Sequence, residues 1–385
     1  MNNGFVIAAL SAVVLTACGG GGSNEVPAEP PTPPSTRASI KVVGGGWEAG
    51  GGANYAVSLT PDYRNWPDLV AQRLRGEALC NRFVLVGAGT VIGWTAGNAV
   101  CTSYAINDHS RSSLTSGPTS LETDDGVSIV GQLQRAAAEG LGANDILLVG
   151  TGYAHILEAR SALSLIGGLG PESERIVVAN YIERLERLLG AAEVNRLLPT
   201  EQRTLVTVID LYMKALAGRL ADAIDRYALQ NGVTRVAVLN TIPAHLLTGT
   251  AHSAPSMAKL DQWTQSFNTA LAQRFATNTK VRVVDGALLV REQIAKPQQY
   301  GYANTTTPAC ASAANQELCS ASELAALPAP TESSDKSATW WKSYMVWQWV
   351  DSSSSFTTTK HRISQHAQDH VANLVLAEIN KAGWK

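Results

Sequence analysis

Asp351, Ser354, Ser355 and His361 stand in one short stretch of the chain. These are the residue types of nucleophilic hydrolysis: a hydroxyl that attacks, an imidazole that takes its proton, and a carboxylate that orients the imidazole. Nearness in sequence is not a triad, because the groups must also meet within hydrogen-bond reach. A second group overlaps the first. His366 and His370 follow His361 and are placed to share one face of a helix, so a metal pair is geometrically possible. A solvated polar face explains the same spacing more simply. No metal and no cofactor is expected.

Other short patterns carry less. Ser256-Met257-Ala258-Lys259 and Ser333-Ser334-Asp335-Lys336 match S-x-x-K, but the S-D-N and K-T-G partners are missing. Gly87-Ala88-Gly89-Thr90-Val91-Ile92-Gly93 has the wrong glycine spacing for a dinucleotide fingerprint and reads as a turn. No G-x-S-x-G elbow occurs.

Five cysteines suit an oxidising compartment. Cys18 ends the string Leu15-Thr16-Ala17-Cys18, behind an apolar run from Phe5 to Ala17. That run is shorter than the roughly 20 residues a membrane-spanning helix needs, and it fits the apolar core of a secretory signal. The string resembles a bacterial lipobox, in which the Cys is acylated and becomes the new N-terminus. Residues 1–18 are therefore expected to be a lipoprotein signal with its lipobox. Residues 19–38 follow as a Gly- and Pro-rich tether, flexible at Gly19 to Gly22 and stiff around Pro30, Pro31, Pro33 and Pro34. The expected address is the cell envelope, on a membrane through the lipid. Gly19 after Cys18 favours the outer membrane by resemblance to Gram-negative lipoproteins. Cys80, Cys101, Cys310 and Cys319 remain, and proximity favours the pairs Cys80–Cys101 and Cys310–Cys319. A four-cysteine zinc site would call for C-x₂-C pairs, which are absent.

Residues 39–385 are left as one domain. The chain has 45% hydrophobic and 16% charged residues and a formal net charge of −2, a globular composition. No Lys/Arg-dense stretch marks a nucleic-acid partner.

The elements that must position these residues alternate. Apolar, β-rich runs lie at Ile40–Val43, Arg82–Val86, Asp145–Val149, Arg235–Leu239 and Lys280–Val284. Continuous runs of this kind suit strands covered on both faces. Helical spacing recurs over Val127–Ala138, Gln202–Asn231, Ser256–Phe275 and Arg362–Lys381. The alternation predicts a doubly wound, three-layer α/β/α domain around a mainly parallel five-stranded sheet. Residues 300–345 read as loop. In such folds the ligand crevice lies at the carboxyl ends of the strands, here Gly44-Gly45-Gly46 and Gly150-Thr151-Gly152.

Several strings resemble the SGNH/GDSL hydrolases, in particular secreted proteobacterial esterases. They are Val283-Val284-Asp285, Pro297 to Asn304, Pro308-Ala309-Cys310, Trp347-Gln348-Trp349-Val350-Asp351 and the helical pair Phe267-Asn268. The likeness is patchy and spans about residues 39–384. It implies an SGNH/flavodoxin-like fold and an ester-hydrolase ancestry. It also implies positions for a Ser nucleophile, a His base, an orienting Asp and an oxyanion hole.

Carried over one at a time, these positions are mostly altered. The nucleophile position is Gly46. The oxyanion glycine becomes Asn107, which still has a backbone N–H. The oxyanion asparagine becomes Gly152, or Tyr153 in the next register. The Asp position keeps Asp351. The base position is Ser354, or Ser355 with one insertion, and His361 matches a second, non-catalytic His of many members. Losing either Ser or His alone costs such an enzyme roughly a millionfold in rate. The resemblance therefore implies a pseudoenzyme that binds a small molecule or an envelope partner. Gly44-Gly45-Gly46 would offer an anion nest of backbone N–H groups, bordered by Trp47. The alternative is an active esterase with relocated residues, Ser354 or Ser355 with His361 and Asp351.

Overall fold

The computed structural model describes residues 39–45, 64–88, 91–97, 99–106, 114, 127–150, 153–169, 171–243, 246, 254–302, 305, 346–351, 358–363 and 365–384. All of these residues belong to one unit, Arg37–Lys385. The expected signal, Cys18 and the tether lie outside the described residues. No helix among the described residues is long and apolar enough to cross a membrane.

Four parallel strands form the central sheet: β1 (Ile40–Val43), β4 (Ile146–Gly150), β5 (Val236–Leu239) and β6 (Val281–Val284), in the order β1-β4-β5-β6. Every residue of β1, β4 and β5 is buried, whereas the middle of edge strand β6 is half-buried. The continuous apolar runs thus reflect cover on both faces. On one face Val43, Leu147, Val149, Val236 and Val238 join a core with α2 (Ile129–Ala138), α6 (Leu205–Tyr227) and α7 (Ala254–Phe275). On the other, Ile40, Val42, Ile146, Leu148, Ala237 and Leu239 join a core with α1 (Trp66–Arg75), α8 (Gly286–Ala295) and α9 (Gln365–Lys381). The buried Gln368 of α9 accepts the Trp66 N–H at 2.9 Å, so these two helices are keyed together at the start of α1.

The sheet has four strands, not five. The run at Arg82–Val86 does not enter it. Instead β2 (Phe83–Ala88) pairs antiparallel with β3 (Val91–Ala96), from Phe83 opposite Ala96 to Ala88 opposite Val91. The place beside β1 is taken by residues 102–106. These run parallel to β1 through isolated bridges, Val42 with Ser103 and Gly45 with Ile106. The Val42 N–H donates to Thr102 O at 3.1 Å, and the Tyr104 N–H donates to Val42 O at 2.7 Å.

A staple explains the exchange. Cys80 and Cys101 are bonded across a separation of 21 residues, closing the base of the β2–β3 hairpin. The Arg82 N–H donates to Ser103 O at 2.7 Å, and the Gly97 N–H donates to Arg82 O at 2.8 Å. The Arg82 guanidinium, 7% exposed, forks onto Glu139 at 2.9 and 2.8 Å. Tyr104 donates to the same carboxylate at 3.0 Å. Arg82 and Tyr104 hold the Glu139 carboxyl below its usual range, against the opposing effect of burial. This bridge is the single disulfide among the described residues. Cys310 and Cys319 lie outside them.

Residues between β4 and α6 carried no predicted element, yet they form α3 (Tyr153–Leu169), α4 (Pro171–Leu189) and α5 (Ala191–Leu197). Only Tyr181 and Leu185 of α4 are buried, so its apolar stripe is too thin to read from periodicity. The long helix α6 behaves oppositely. Val208, Ile209, Tyr212, Met213, Leu216, Leu220 and Ile224 are all buried along it. Near the C-terminus β7 (Val346–Asp351) and β8 (Thr358–Ile363) pair antiparallel. Most of residues 300–345, read as loop, lies outside the described residues.

Candidate functional site

The chain turns in opposite directions from β1: residues 102–106 lie on one side of it and β4 on the other. In an open parallel sheet this is where a crevice forms, outside the carboxyl ends of the strands. Three described chain ends reach that edge: Gly45 after β1, Ile106 beside it, and Gly150 at the end of β4. Gly46, Asn107 and Gly152 follow these ends in the chain and lie outside the described residues, as do Trp47, Ser354 and Ser355.

What is described at the crevice is tightly bonded. Gly44 adopts φ 153°, a region that favours glycine. Its N–H donates to Gln132 Oε1 at 2.8 Å, and its carbonyl accepts from Gln132 Nε2 at 3.0 Å. The same Nε2 reaches Val127 O at 2.8 Å, and Gln132 is fully buried. A single side-chain amide therefore holds both peptide groups of Gly44, whose carbonyl also accepts the Ile106 N–H at 3.3 Å. This corrects the expectation of an open nest at Gly44: its N–H is already occupied. Gln132 sits on α2, which Ser128 starts by accepting the Gly131 N–H at 3.0 Å.

The next strand ends are fastened in the same way. Asn240, after β5, donates to Asp285 Oδ1 at 2.9 Å and accepts the Ala287 N–H at 3.0 Å. Asp285 also caps α8 by accepting the Leu288 N–H at 2.9 Å. Asn268 of α7 brackets the peptide groups of Thr241, accepting its N–H and donating to its carbonyl, both at 2.9 Å. Phe267 beside it is 1% exposed in the core. The Phe267-Asn268 pair thus positions a strand end.

Sequence reading missed His155, early on α3. Its ring is 2% exposed, and its Nε2 accepts the Leu114 N–H at 3.0 Å. Nε2 is therefore unprotonated and Nδ1 carries the hydrogen, 3.5 Å from Glu158 Oε2. Burial alone would raise the Glu158 pKa, but the neighbouring His155 N–H and the ion pair with Arg184 hold it below its usual range. Arg219 Nε closes the clamp by donating to Leu114 O at 2.7 Å. His155 resembles a base with its orienting carboxylate, but its basic nitrogen is committed to a backbone N–H. Only the fold reveals it, because its partner Leu114 is remote in sequence.

Asp351 and His361 are placed on the β7–β8 ladder. Asp351 pairs with Thr358 and His361 with Gln348. The two residues therefore sit three ladder positions apart, about 10 Å along the strands.

His366 and His370 do come together, and not as a solvated face. Both are half-buried, with Nε2 atoms 3.3 Å apart and 2.6 and 3.1 Å from Tyr300 O. Burial and the neighbouring His366 lower the His370 pKa, with the Tyr300 carbonyl and Asp369 pulling the other way. No group of three or more His, Cys, Asp or Glu side chains suited to a metal occurs among the described residues.

The chain matches no family model and no curated protein.

Proposed function

We propose that this protein is a catalytically silent, SGNH/GDSL esterase-like lipoprotein that binds an acyl, acetylated-glycan or carboxylate group, or a partner carrying one, at the cell envelope. The observation that carries the reading is the end of β1. There the resemblance calls for a nucleophile, the sequence reads Gly44-Gly45-Gly46, and Gly44 is bonded on both sides to Gln132. The sheet order supports it. Counting residues 102–106 as an edge segment, the parallel chain order becomes the flavodoxin-like 2-1-3-4-5, with its crevice at the β1/β4 boundary. His155 at the same end of the sheet is engaged inward, which fits a pocket retained as structure.

The test is ester turnover by the full-length protein on p-nitrophenyl acetate and butyrate. It runs beside a Gly46→Ser, Gly152→Asn, Ser354→His variant. Background rates from the unaltered protein, together with saturable acetate or butyrate binding that Gly46→Leu abolishes, are expected. Turnover abolished by a serine-reactive inhibitor and by His361→Ala would replace this reading with an esterase whose residues are relocated. Neither turnover nor saturable binding would refute the ligand.

A further inference from the structure

His366 and His370 lie on successive turns of α9, and Tyr300 ends the short 3₁₀ turn Pro297–Tyr300. Nothing in the function proposed above requires their contact. The three polar atoms form a compact triangle: 3.3 Å between the two Nε2 atoms, and 2.6 and 3.1 Å from them to Tyr300 O. The ring centroids are farther apart, at 4.5 Å, so the nitrogens converge.

The space at their meeting point is kept by a glycine. Gly301 holds φ +73°, and a Cβ there would stand 3.0 Å from His366 Nε2. The rings are also held in place. Tyr300 packs edge-on to His370 at 5.2 Å, and Tyr302 packs edge-on to His366 at 5.3 Å. Asp369, between the two histidines, is engaged by Arg73 of α1 at 2.5 Å. That carboxylate is thus engaged on α1.

We propose that His366 Nε2, His370 Nε2 and Tyr300 O form a binding site for a divalent late transition metal such as Zn²⁺, with solvent completing the shell. The two nitrogens fit: an ion about 2.0–2.1 Å from each in tetrahedral geometry holds them about 3.3 Å apart, and its binding would open the 2.6 Å His366–Tyr300 contact by roughly 0.7 Å. The ion would stand about 1 Å to one side of the triangle, among half-buried residues. Two imidazoles with a neutral oxygen suit Zn²⁺, Co²⁺, Ni²⁺ or Cu²⁺ rather than Mg²⁺ or Ca²⁺. Both rings must then carry their proton on Nδ1, leaving the Nε2 lone pairs for the ion. A bound ion would fasten the start of α9 to the turn that follows α8.

Full-length protein in detergent micelles is stripped with EDTA without reductant, exchanged to pH 7.5 and titrated calorimetrically with ZnCl₂. One equivalent is expected at a Kd of about 10 μM or tighter. His366→Gln and His370→Gln should each weaken it at least about tenfold, with His361→Gln leaving it unchanged. Long-range ¹H–¹⁵N spectra of histidine-labelled, unaltered protein serve if either variant fails to fold. There, two rings should shift together at one equivalent and show the Nδ1–H form. No binding tighter than about 1 mM overturns the site, as does affinity that survives either variant or shifts confined to other histidines.

Discussion

At the carboxyl end of the sheet, polar groups are paired inward, each with a partner from another element. At the start of α9, two imidazoles and a carbonyl point at one another and remain half-exposed. Gln132 on Gly44, Asn268 on Thr241 and His155 on Leu114 are fastenings: one side chain meets backbone groups of another part of the chain. The His366–His370–Tyr300 triangle gathers three groups where one ion or hydrogen bond would satisfy them all. Buried polar groups must be satisfied, so the first arrangement stabilises the fold. A half-exposed convergence has no such necessity, and an ion can replace its shared carbonyl contact.

The sharpest way to break this contrast is Gln132→Leu. It removes the partner of the Gly44 N–H and the side-chain bonds to Gly44 O and Val127 O at a fully buried position. A loss of about 3 kcal/mol or more is expected in urea unfolding. A loss below about 1 kcal/mol would mean that the strand end is not held this way. Replacing Cys80 and Cys101 together by Ala should cost about 3 kcal/mol, from the loop entropy returned to the unfolded chain. Asn268→Ala, which strips both bonds to Thr241, should cost about 2 kcal/mol. Neither change should alter zinc affinity if the two regions are independent.

Gly301→Ala probes the other side of the comparison. Its positive φ and the close His366 ring predict a cost of about 1 kcal/mol and weaker zinc binding, read by thermal shift with and without ZnCl₂. The smallest effect is a pH dependence. The His370 pKa is lowered in the folded state by burial and by His366. Below about 6.5 the unfolded chain takes up that proton more readily. Stability is therefore complete above that pH and declines as pH falls towards the lowered value. His370→Gln should flatten the slope of the urea midpoint between pH 5 and 7. An unchanged slope would assign it to other groups.

The four strands of the parallel sheet and four of the helices were legible because burial on two faces and helical periodicity both leave patterns in the chain, whereas β3, β7 and β8 were not named from the sequence. Gly46, Gly152 and Ser354 could be named from a resemblance alone, and they lie outside the described residues. Gln132, Asn268 and His155 could not be assigned a role. A glutamine inside an apolar helix looks like any surface residue until its partner is known, and Gly44 is far off in sequence. His366 and His370 illustrate the limit from the other direction. Their spacing showed that they share a face, but the carbonyl that face meets belongs to Tyr300.

The chain by itself determined an α/β alternation, a parallel sheet, the Cys80–Cys101 pair by proximity, and glycines where strands end. Those follow from local composition and short-range spacing. Tertiary structure alone decided that residues 102–106, and not Arg82–Val86, lie beside β1, because a disulfide and a part-buried Arg82–Glu139 pair turn β2 aside into a hairpin. It also decided which polar groups are closed off and which converge. Hydrogen-bond satisfaction is a property of pairs, and the pairs that matter here are brought together only when the chain has folded.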